Sequence, residues 1–452
     1  MRRLPAIFVV GALLVPMPAR AQTPTPEEAS VSPLASGSPL ERALRPDLGP
    51  REVKACSFKH ALCVHAAPGA PAFTVLGVLA SADRSWDTLT GSLGLPAPDV
   101  DVSTGAFDVF VVGGPEFGGA DADLDRRDPL ARYDRASAFA LVDARLQAGC
   151  ALDASVAKAL ARASLWRAAP STDEATARAE VAYVARLLVP CAIGAVDGVD
   201  VFQSEPGHAL TNPMPDAPDA FVRGYDAGAA LFYWWLDWTF GAQPGAIVRA
   251  LWALTATRTP LGSPRWAATP NGFDVLRQSF KGVLGTGSTL DDVFVEFAVA
   301  RAFVGDADDG QYLPESRSLG SAGRVHHEWD LAWPAAPRVV ASGEGVEPTG
   351  SAYVAITRAG APAAASLRVE LTWEEHARMR WVALKIDGGG RSLGAIDIPS
   401  PDRGTSAQGS LVDLTGAASV LLVGTNLGDP FWPWSPNEVL EPHGWTLSVA
   451  SP

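Results

Sequence analysis

The chain has 452 residues, of which 47% are hydrophobic, and its 36 basic and 50 acidic side chains give a formal net charge of −14. This apolar content is enough for extensive cores, and the length predicts more than one domain. The acidic balance excludes nucleic acid and anionic membrane surfaces as expected partners, because both would repel the chain.

The first 21 residues have the pattern of a secretory signal peptide. Arg2 and Arg3 precede an apolar stretch over residues 4–15, and the small residues Ala19 and Ala21 mark a cleavage site. This stretch is too short to span a membrane, which takes about 18 or more apolar residues. We therefore expect a secreted or periplasmic protein with no membrane span, whose charge changes from −14 to −17 when three arginines are removed with the leader.

The next segment, residues 22–50, is rich in Pro, Ser and Ala, and its composition predicts a disordered leader. Signals for strands and for a helix then alternate as far as about residue 135, and one more strand is expected just beyond, which is typical of α+β structure. Short apolar runs predict strands over 73–78, 107–112 and 138–142. An amphipathic helix is predicted to carry Trp86, Leu89 and Leu93.

The four cysteines are expected to form disulfides, because an even number in an exported chain indicates oxidised pairs. Three pairings are formally open. We favour Cys56 with Cys63, which closes a short local loop, and Cys150 with Cys191, which would join the ends of a two-helix segment. The spacings do not match a CxxC metal motif.

Residues 150–305 are predicted to be mainly helical. In LDASVAKALARASLW the apolar side chains share one face, and Lys158 and Arg162 lie on the polar face. The next helix begins at Ser171, with capping-box spacing to Glu174, and ends at Pro190. DAFVRGYDAGAALFYWWLDWTFG predicts one central buried helix. Further helices are expected after Pro244, Asn271 and Thr289.

Beyond about residue 325 the apolar period changes from helical to two, which predicts a compact β-sandwich over 326–452 after an α+β domain over 51–325. In SLRVELT and RWVALKI the alternation predicts which side chains point inward, and Asp387 with Gly388 predicts a hairpin turn between two strands. The self-contained pattern indicates a sandwich that can be expressed alone from about residue 328. The side chains predicted to point inward are Leu367, Val369, Leu371, Val382, Leu384 and Ile386.

The sequence contains no G-x-S-x-G, GxxxxGK, G-x-G-x-x-G or H-E-x-x-H motif. Asp121, Asp123 and Asp125 match the D-x-D-x-D start of a calcium loop. However, the turn glycine is missing and Arg132 stands where an EF-hand has its bidentate glutamate. We interpret the segment as a solvated acidic loop, with calcium binding as the alternative.

Two further groups of residues have both a structural and a functional interpretation. Phe431, Trp432 and Trp434 lie in a Pro-bounded loop, where they either pack across one end of the sandwich or bind a sugar or protein partner. His326 and His327 lie at the predicted domain junction. Because adjacent side chains on an extended segment point in opposite directions, we interpret them as linker residues.

The helical segment resembles exported bacterial metallopeptidases of the gluzincin type. The resemblance is carried by VAKALARA and DEATARAE, then by YDAGAALFYWWLDWTFG and STLDDVFVEFAVARAFVG. Those proteins have V-A-H-E-x-x-H-A, then E-x-x-A, then a similar aromatic helix and a terminal β-sandwich. PTGSAYVAI and the later strands are similar to that sandwich, the bacterial pre-peptidase C-terminal domain. The resemblance covers most of residues 51–452.

The zinc motif of that family is degenerate in this chain. The resemblance places Lys158, Ala159 and Arg162 where the family has histidine, glutamate and histidine. Histidines one turn apart bind zinc while the glutamate acts as general base, whereas lysine and arginine are cations that repel the ion. Glu174 is closer to this motif than the family's third ligand usually is. The resemblance therefore implies a pseudoenzyme with no cofactor. In the alternative, ligands come from scattered histidines such as His208, His326 and His443.

We expect a non-catalytic, peptidase-like protein that binds or scaffolds an unidentified protein or glycan outside the cytoplasm. One alternative is an extracytoplasmic hydrolase whose site cannot be read from sequence. The other is a structural component of the envelope. Paired carboxylates in a shared cleft would favour the hydrolase, and an aromatic patch without perturbed titratable groups would favour binding.

Overall fold

The computed structural model describes residues 43–113, 121–189, 191, 198–211, 214, 217–267, 269–282, 288–362, 365–401, 404–428 and 440–451. The predicted signal peptide and most of the predicted leader therefore lie outside the described residues. The chain is α+β, with helices in the middle and β-sheets towards the C-terminus. In the described part of the chain, no helix is both long and apolar enough to cross a bilayer.

The N-terminal part is a five-stranded sheet with helices α1 and α2 on one face. The strand order is β1-β2-β3-β5-β4; β2, β3 and β5 are parallel, and β1 and β4 are antiparallel edge strands. The strands are β1 Val53–Cys56, β2 Leu62–Ala66, β3 Phe107–Val112, β4 Asp121–Arg127 and β5 Ala136–Asp143, and the helices are α1 Ala72–Asp87 and α2 Cys150–Ala168.

The strands predicted over 107–112 and 138–142 are confirmed as β3 and β5, but the strand predicted over 73–78 is wrong. That segment is the first part of α1, which begins after Pro71 and continues to Asp87. Its buried side chains include Val75, Val78 and Trp86, which follow the helical period over a longer stretch than the six residues that suggested a strand.

The predicted disordered leader extends too far, because residues 43–50 are packed against the sheet. Arg45 pairs with Asp101 at 2.9 Å and also with the buried Asp108. Leu48 packs on the face of the sheet opposite to α1 and α2. The end of this segment therefore covers apolar surface that would otherwise face water.

The middle of the chain is a helical layer. The single buried helix predicted around residue 230 is two helices, α5 and α6, separated at Ala229. The helices expected after Pro244, Asn271 and Thr289 are confirmed. The elements are α3 Glu174–Leu188, α4 Val199–Ser204, α5 Asp219–Gly228, α6 Ala230–Phe240, α7 Ala246–Leu254, α8 Gly272–Gly282 and α9 Leu290–Arg301.

The C-terminal part is the predicted β-sandwich, with one sheet ordered β11-β10-β13-β8-β6 and a second ordered β12-β9-β14-β7. Among the described residues its strand pairs are antiparallel except β6 with β8, which is parallel. The strands are β6 Trp329–Ala332, β7 Arg338–Ala341, β8 Ser351–Thr357, β9 Leu367–Trp373, β10 Met379–Ile386, β11 Ser392–Ile398, β12 Ser406–Leu411, β13 Ser419–Asn426 and β14 Trp445–Ala450.

Strand β9 buries the predicted face, but β10 buries both of its faces. Trp381 and Ala383 point into the sandwich, whereas Val382 and Leu384, which were expected there, pack against the helices. Ile386 also lies against the helical core. Alternation along a strand separates two faces, but it does not identify which face meets which layer.

The sandwich and the helical layer share one hydrophobic core. Side chains from β8, β10 and β13 belong to the same buried cluster as α6 and α9, and the Tyr353 hydroxyl donates to the Ala298 carbonyl at 2.7 Å. All described residues belong to one compact unit, Ser36–Pro452. That the sandwich can be expressed alone stays a prediction. Removing the helices would expose the face formed by β8, β10 and β13.

Both predicted disulfides are present. Cys56–Cys63 joins paired residues of β1 and β2, and the second disulfide is Cys150–Cys191.

We expect serine at both Cys150 and Cys191 to destabilise the chain by about 4 kcal/mol, against about 2.5 kcal/mol for serine at both Cys56 and Cys63. Cys150 and Cys191 are 41 residues apart, whereas Cys56 and Cys63 are seven apart. A crosslink restricts the unfolded chain more when the loop that it closes is longer. Denaturant unfolding of both double variants checks this, and equal losses would contradict it.

The fragment 328–452 is expected to fold but to self-associate. Its face from β8, β10 and β13 carries large apolar side chains that the helices cover in the whole chain. A matched fragment with Val382, Leu384, Leu421 and Val423 changed to threonine is expected to be monomeric. Sedimentation at several concentrations compares the two, and a wild-type fragment that stays monomeric throughout would contradict the expectation.

Candidate functional site

Helix α2, which carries Lys158, Ala159 and Arg162, lies between two hydrophobic cores. Leu152, Val156 and Leu160 pack towards the sheet and α1, which confirms the predicted apolar face. On the opposite side Ala161 and Leu165 pack into the helical core. No broad polar face remains on this helix, so its charged residues need partners inside the protein.

Arg162 is the clearest departure from the sequence prediction, which placed it on a solvated polar face. Its side chain is only 10% exposed, and its guanidinium contacts Glu174 and lies 5.4 Å from the centre of the Trp166 ring. The structure therefore brings together two positions that the resemblance associates with zinc, and a cation occupies one of them.

Glu174 also differs from its predicted role in a capping box that begins at Ser171. The residue that caps α3 is Asp173, whose carboxylate accepts from the Thr176 backbone N–H at 2.9 Å. This leaves the carboxylate of Glu174, the first residue of the helix, to bind arginine. A capping box is present at the start of α9, where Thr289 and Asp292 bond reciprocally.

Arg178 extends the pairing to a second carboxylate. Its Nε lies 3.0 Å from Glu174 Oε1, and its Nη1 donates to Asp226 Oδ2 at 2.9 Å. Arg162, Glu174, Arg178 and Asp226 thus form an alternating row of charges across α2, α3 and α5, which we call the charge row. Two cations balance two carboxylates in it, so the row has no net negative charge to attract a metal ion.

The charge row has unequal effects on its two acids. Burial raises the pKa of Glu174, but the charges of Arg162 and Arg178 oppose it and hold that pKa below its usual value. Burial raises the pKa of Asp226 to about 6 even with Arg178 beside it. Glu174 is therefore an ion-pair carboxylate, whereas Asp226 takes up a proton in mildly acidic solution.

A third acid near these helices, Glu180 on α3, is buried. It accepts from Trp252 Nε1 at 2.8 Å, and burial, with a smaller effect of the nearby Asp173, raises its pKa to about 8. Sequence reasoning missed this residue, because a glutamate in an alanine-rich helix has no local signal of burial. At neutral pH it is largely protonated.

A cleft of about 750 Å³ lies where the helical layer meets the sandwich. His326 and His327, predicted as linker residues, both line it, and His327 Nδ1 lies 3.0 Å from Asp330 Oδ1. Asp200 and Arg324 add charged groups to walls that are otherwise mostly apolar and small.

The scattered histidines of the alternative zinc hypothesis bind separate partners. His208 Nδ1 lies 3.0 Å from Glu347, and this hydrogen bond raises the pKa of His208. His443 lies 3.6 Å from Glu374. Among the described residues, no three His, Cys, Asp or Glu side chains form a group that could hold a metal ion.

The remaining candidate residues are only partly described. Asp121, Asp123 and Asp125 lie in β4, a strand paired with β5, and not in the loop that the sequence predicted. Their side chains lie outside the described part of the chain. The aromatic loop with Phe431, Trp432 and Trp434 also falls outside the described residues.

No family model matches the sequence, and no curated protein matches it. Among solved structures, the pre-peptidase C-terminal domain of a Bacillus anthracis collagenase is 9% identical and covers 28% of this chain and 97% of its own, with a TM-score of 0.19. The surface-associated copper-binding protein CorA of Methylomicrobium album BG8 is 8% identical, and the match covers 27% of this chain and 98% of CorA, also with a TM-score of 0.19. The enzymatically active domain of bacteriophage CBA120 tailspike protein 4 is 8% identical. The match covers 26% of this chain and 19% of the tailspike chain, with a TM-score of 0.18. Similarities this weak carry no argument about activity.

The Glu180→Gln variant is expected to remove part of the pH dependence of stability. The folded chain holds this proton to about pH 8, whereas the unfolded value is 4.5, so the free energy of unfolding falls as pH rises between these values. Between about pH 6.5 and 8 the wild type should lose about 1.5 kcal/mol more than the variant, and Asp226, with a pKa of about 6, cancels because both chains carry it.

Denaturant unfolding at the two pH values measures this difference. The variant keeps an acceptor for Trp252, and Glu375→Gln, at an exposed glutamate, is the matched control that should behave as wild type. A Glu180→Gln variant with the same pH slope as the control would show that Glu180 is already ionised in the folded chain.

Proposed function

We propose that this chain is an exported, non-catalytic, peptidase-like protein that binds a polypeptide ligand. The observation that carries the proposal is the contact between Arg162 and Glu174. In the family that the helices resemble, the corresponding side chains would converge on zinc. Here the guanidinium of Arg162, which is 10% exposed, lies against the carboxylate of the half-exposed Glu174, so a divalent cation would have to displace this ion pair.

The rest of the charge row supports the same proposal. Arg178 takes the second oxygen of Glu174 and also binds Asp226, so the acids near α2 are matched by two arginines. A zinc peptidase needs three protein ligands and a bound water whose pKa the metal lowers. Lys158 and Arg162 cannot supply the histidine ligands, and Ala159 cannot act as a base.

Export is the second part of the proposal. The signal-peptide pattern motivates it, and the two disulfides are compatible with it, because such bonds persist in oxidising compartments. A role in binding fits a chain that has a large cleft but has Lys158 and Arg162 at the positions of the zinc-binding histidines of the peptidases it resembles.

We expect the purified mature chain to contain less than about 0.1 zinc per molecule and to show no chelator-sensitive cleavage of casein, since zinc requires several protein ligands to remain bound. Mass-spectrometric metal analysis after dialysis, with a casein assay with and without chelator, checks both. One zinc per chain together with chelator-sensitive cleavage would overturn the proposal.

A restored-ligand variant gives this experiment a positive control. Lys158→His with Arg162→His and Arg178→Gln places two histidines one turn apart and frees Glu174 from both arginines as the third ligand. We expect this triple variant to bind about one zinc. If it folds as wild type and binds none, the assignment of α2 as the counterpart of the zinc helix is wrong, whatever the wild type does.

A further inference from the structure

A second cavity, of about 450 Å³, lies between the end of α2, the segment 131–135 and α7. Its apolar part includes Trp252, which is buried, together with Pro96 and Ala253. The volume lies within the usual range of small-ligand sites, about 300–1,000 Å³. Such a cavity can take a peptide end of one or two residues.

Four arginines line the cavity, and two of them are already neutralised. Arg135 and Arg167 share Asp99, at 3.3 and 3.4 Å, and Arg135 also lies 3.0 Å from Asp128. Their charges are therefore balanced by carboxylates of the protein.

The other two arginines have no carboxylate partner among the described residues. Arg249 donates to the Leu93 carbonyl at 2.8 Å and, from both terminal nitrogens, to the Gln243 side-chain oxygen at 3.1 Å, and both acceptors are neutral. Arg132 lies 5.2 Å from the centre of the Tyr133 ring and is exposed. These two guanidinium groups leave positive charge at a cavity in a chain whose net charge is −14.

Asp134, the carboxylate that lines the cavity, does not balance them. Its Oδ2 accepts from the Thr259 backbone at 2.7 Å and also binds the Thr259 hydroxyl, and Arg258 lies 3.8 Å from Oδ1. Asp134 is buried, and its carboxylate binds the segment with Arg258 and Thr259. The cavity therefore keeps a net positive charge next to an apolar wall.

We propose that this cavity binds the C-terminal carboxylate of a peptide whose last residue is apolar. A guanidinium matches a carboxylate with two parallel hydrogen bonds, which the exposed Arg132 can supply. Arg249, whose terminal nitrogens bind Leu93 and Gln243, adds a positive charge that no carboxylate among the described residues balances. The adjoining apolar side chain packs beside Trp252. This inference rests on the proposed binding function and names the chemical end of the ligand that the chain recognises.

The test is calorimetric titration of the mature chain with N-acetyl-Ala-Ala-Ala-Phe as the free acid and as the carboxamide. We expect the acid to bind, with an affinity that falls as salt rises, and the amide to bind at least about tenfold more weakly, because it loses the charge-assisted hydrogen bonds. Inorganic phosphate is titrated alongside as a simple anion.

Variants at the two arginines locate the binding. Arg249→Gln and Arg132→Gln should each weaken binding of the acid about tenfold, and Arg249→Lys should weaken it less, because it keeps the charge but loses the planar fork. Arg338→Gln, at an exposed position on β7, is the matched control and should leave the affinity unchanged. Thermal melts confirm that each variant is folded.

Three outcomes would overturn the inference. They are equal binding of acid and amide, no binding of either, and binding of phosphate but not of the acid. The proposed function is judged separately, by the zinc and casein measurements. Cleavage of the peptide during the titration would contradict that function, while a loss of binding in the Arg249 variant would still support the carboxylate site.

Discussion

The burial of α2 on two sides is the constraint on which the middle of this structure depends. The helix packs against the sheet through large apolar residues and against the helical core through Ala157 and Ala161. Because water does not reach most of its surface, Arg162 is stable only with a carboxylate beside it, and α3 supplies Glu174. Arg178 and Asp226 then follow from the same requirement, since each added charge must be matched in turn. The charge row is thus a consequence of how closely α2 is enclosed.

The pair of Arg162 and Glu174 also joins two helices. Arg162 is 10% exposed and Glu174 is 45% exposed, so the pair lies at the edge of the enclosed interior. With arginine at position 162, the carboxylate of Glu174 still holds α2 to α3. The raised pKa of Glu180 is another effect of this enclosed interior, and it leaves an acid that is largely neutral at pH 7.

Local periodicity predicted much of the fold. Strands β9 and β10 of the sandwich, the apolar face of α2 and both disulfides were predicted from spacing and composition. The strand predicted over 73–78 was wrong because a short apolar run fits either period, and only the longer stretch to Trp86 separates them. The burial of Arg162 has one signal in the sequence, the alanines at positions 159, 161 and 163, which indicate close packing of neighbouring helices. The pairing of Arg178 with Asp226 could not be predicted, because the two residues are 48 positions apart and meet only in the tertiary structure.

The shared core of the sandwich and the helices bears on how this protein can evolve. A β-sandwich at the end of a chain is often a module that recombines with unrelated partners, since its surface is polar all round. In this chain β10 is enclosed on both faces, with Trp381 in the sandwich and Val382 against the helices. A substitution on one face of that strand must suit one layer, and its neighbour must suit the other. The sandwich and the helical layer are therefore expected to change together, as one inherited unit.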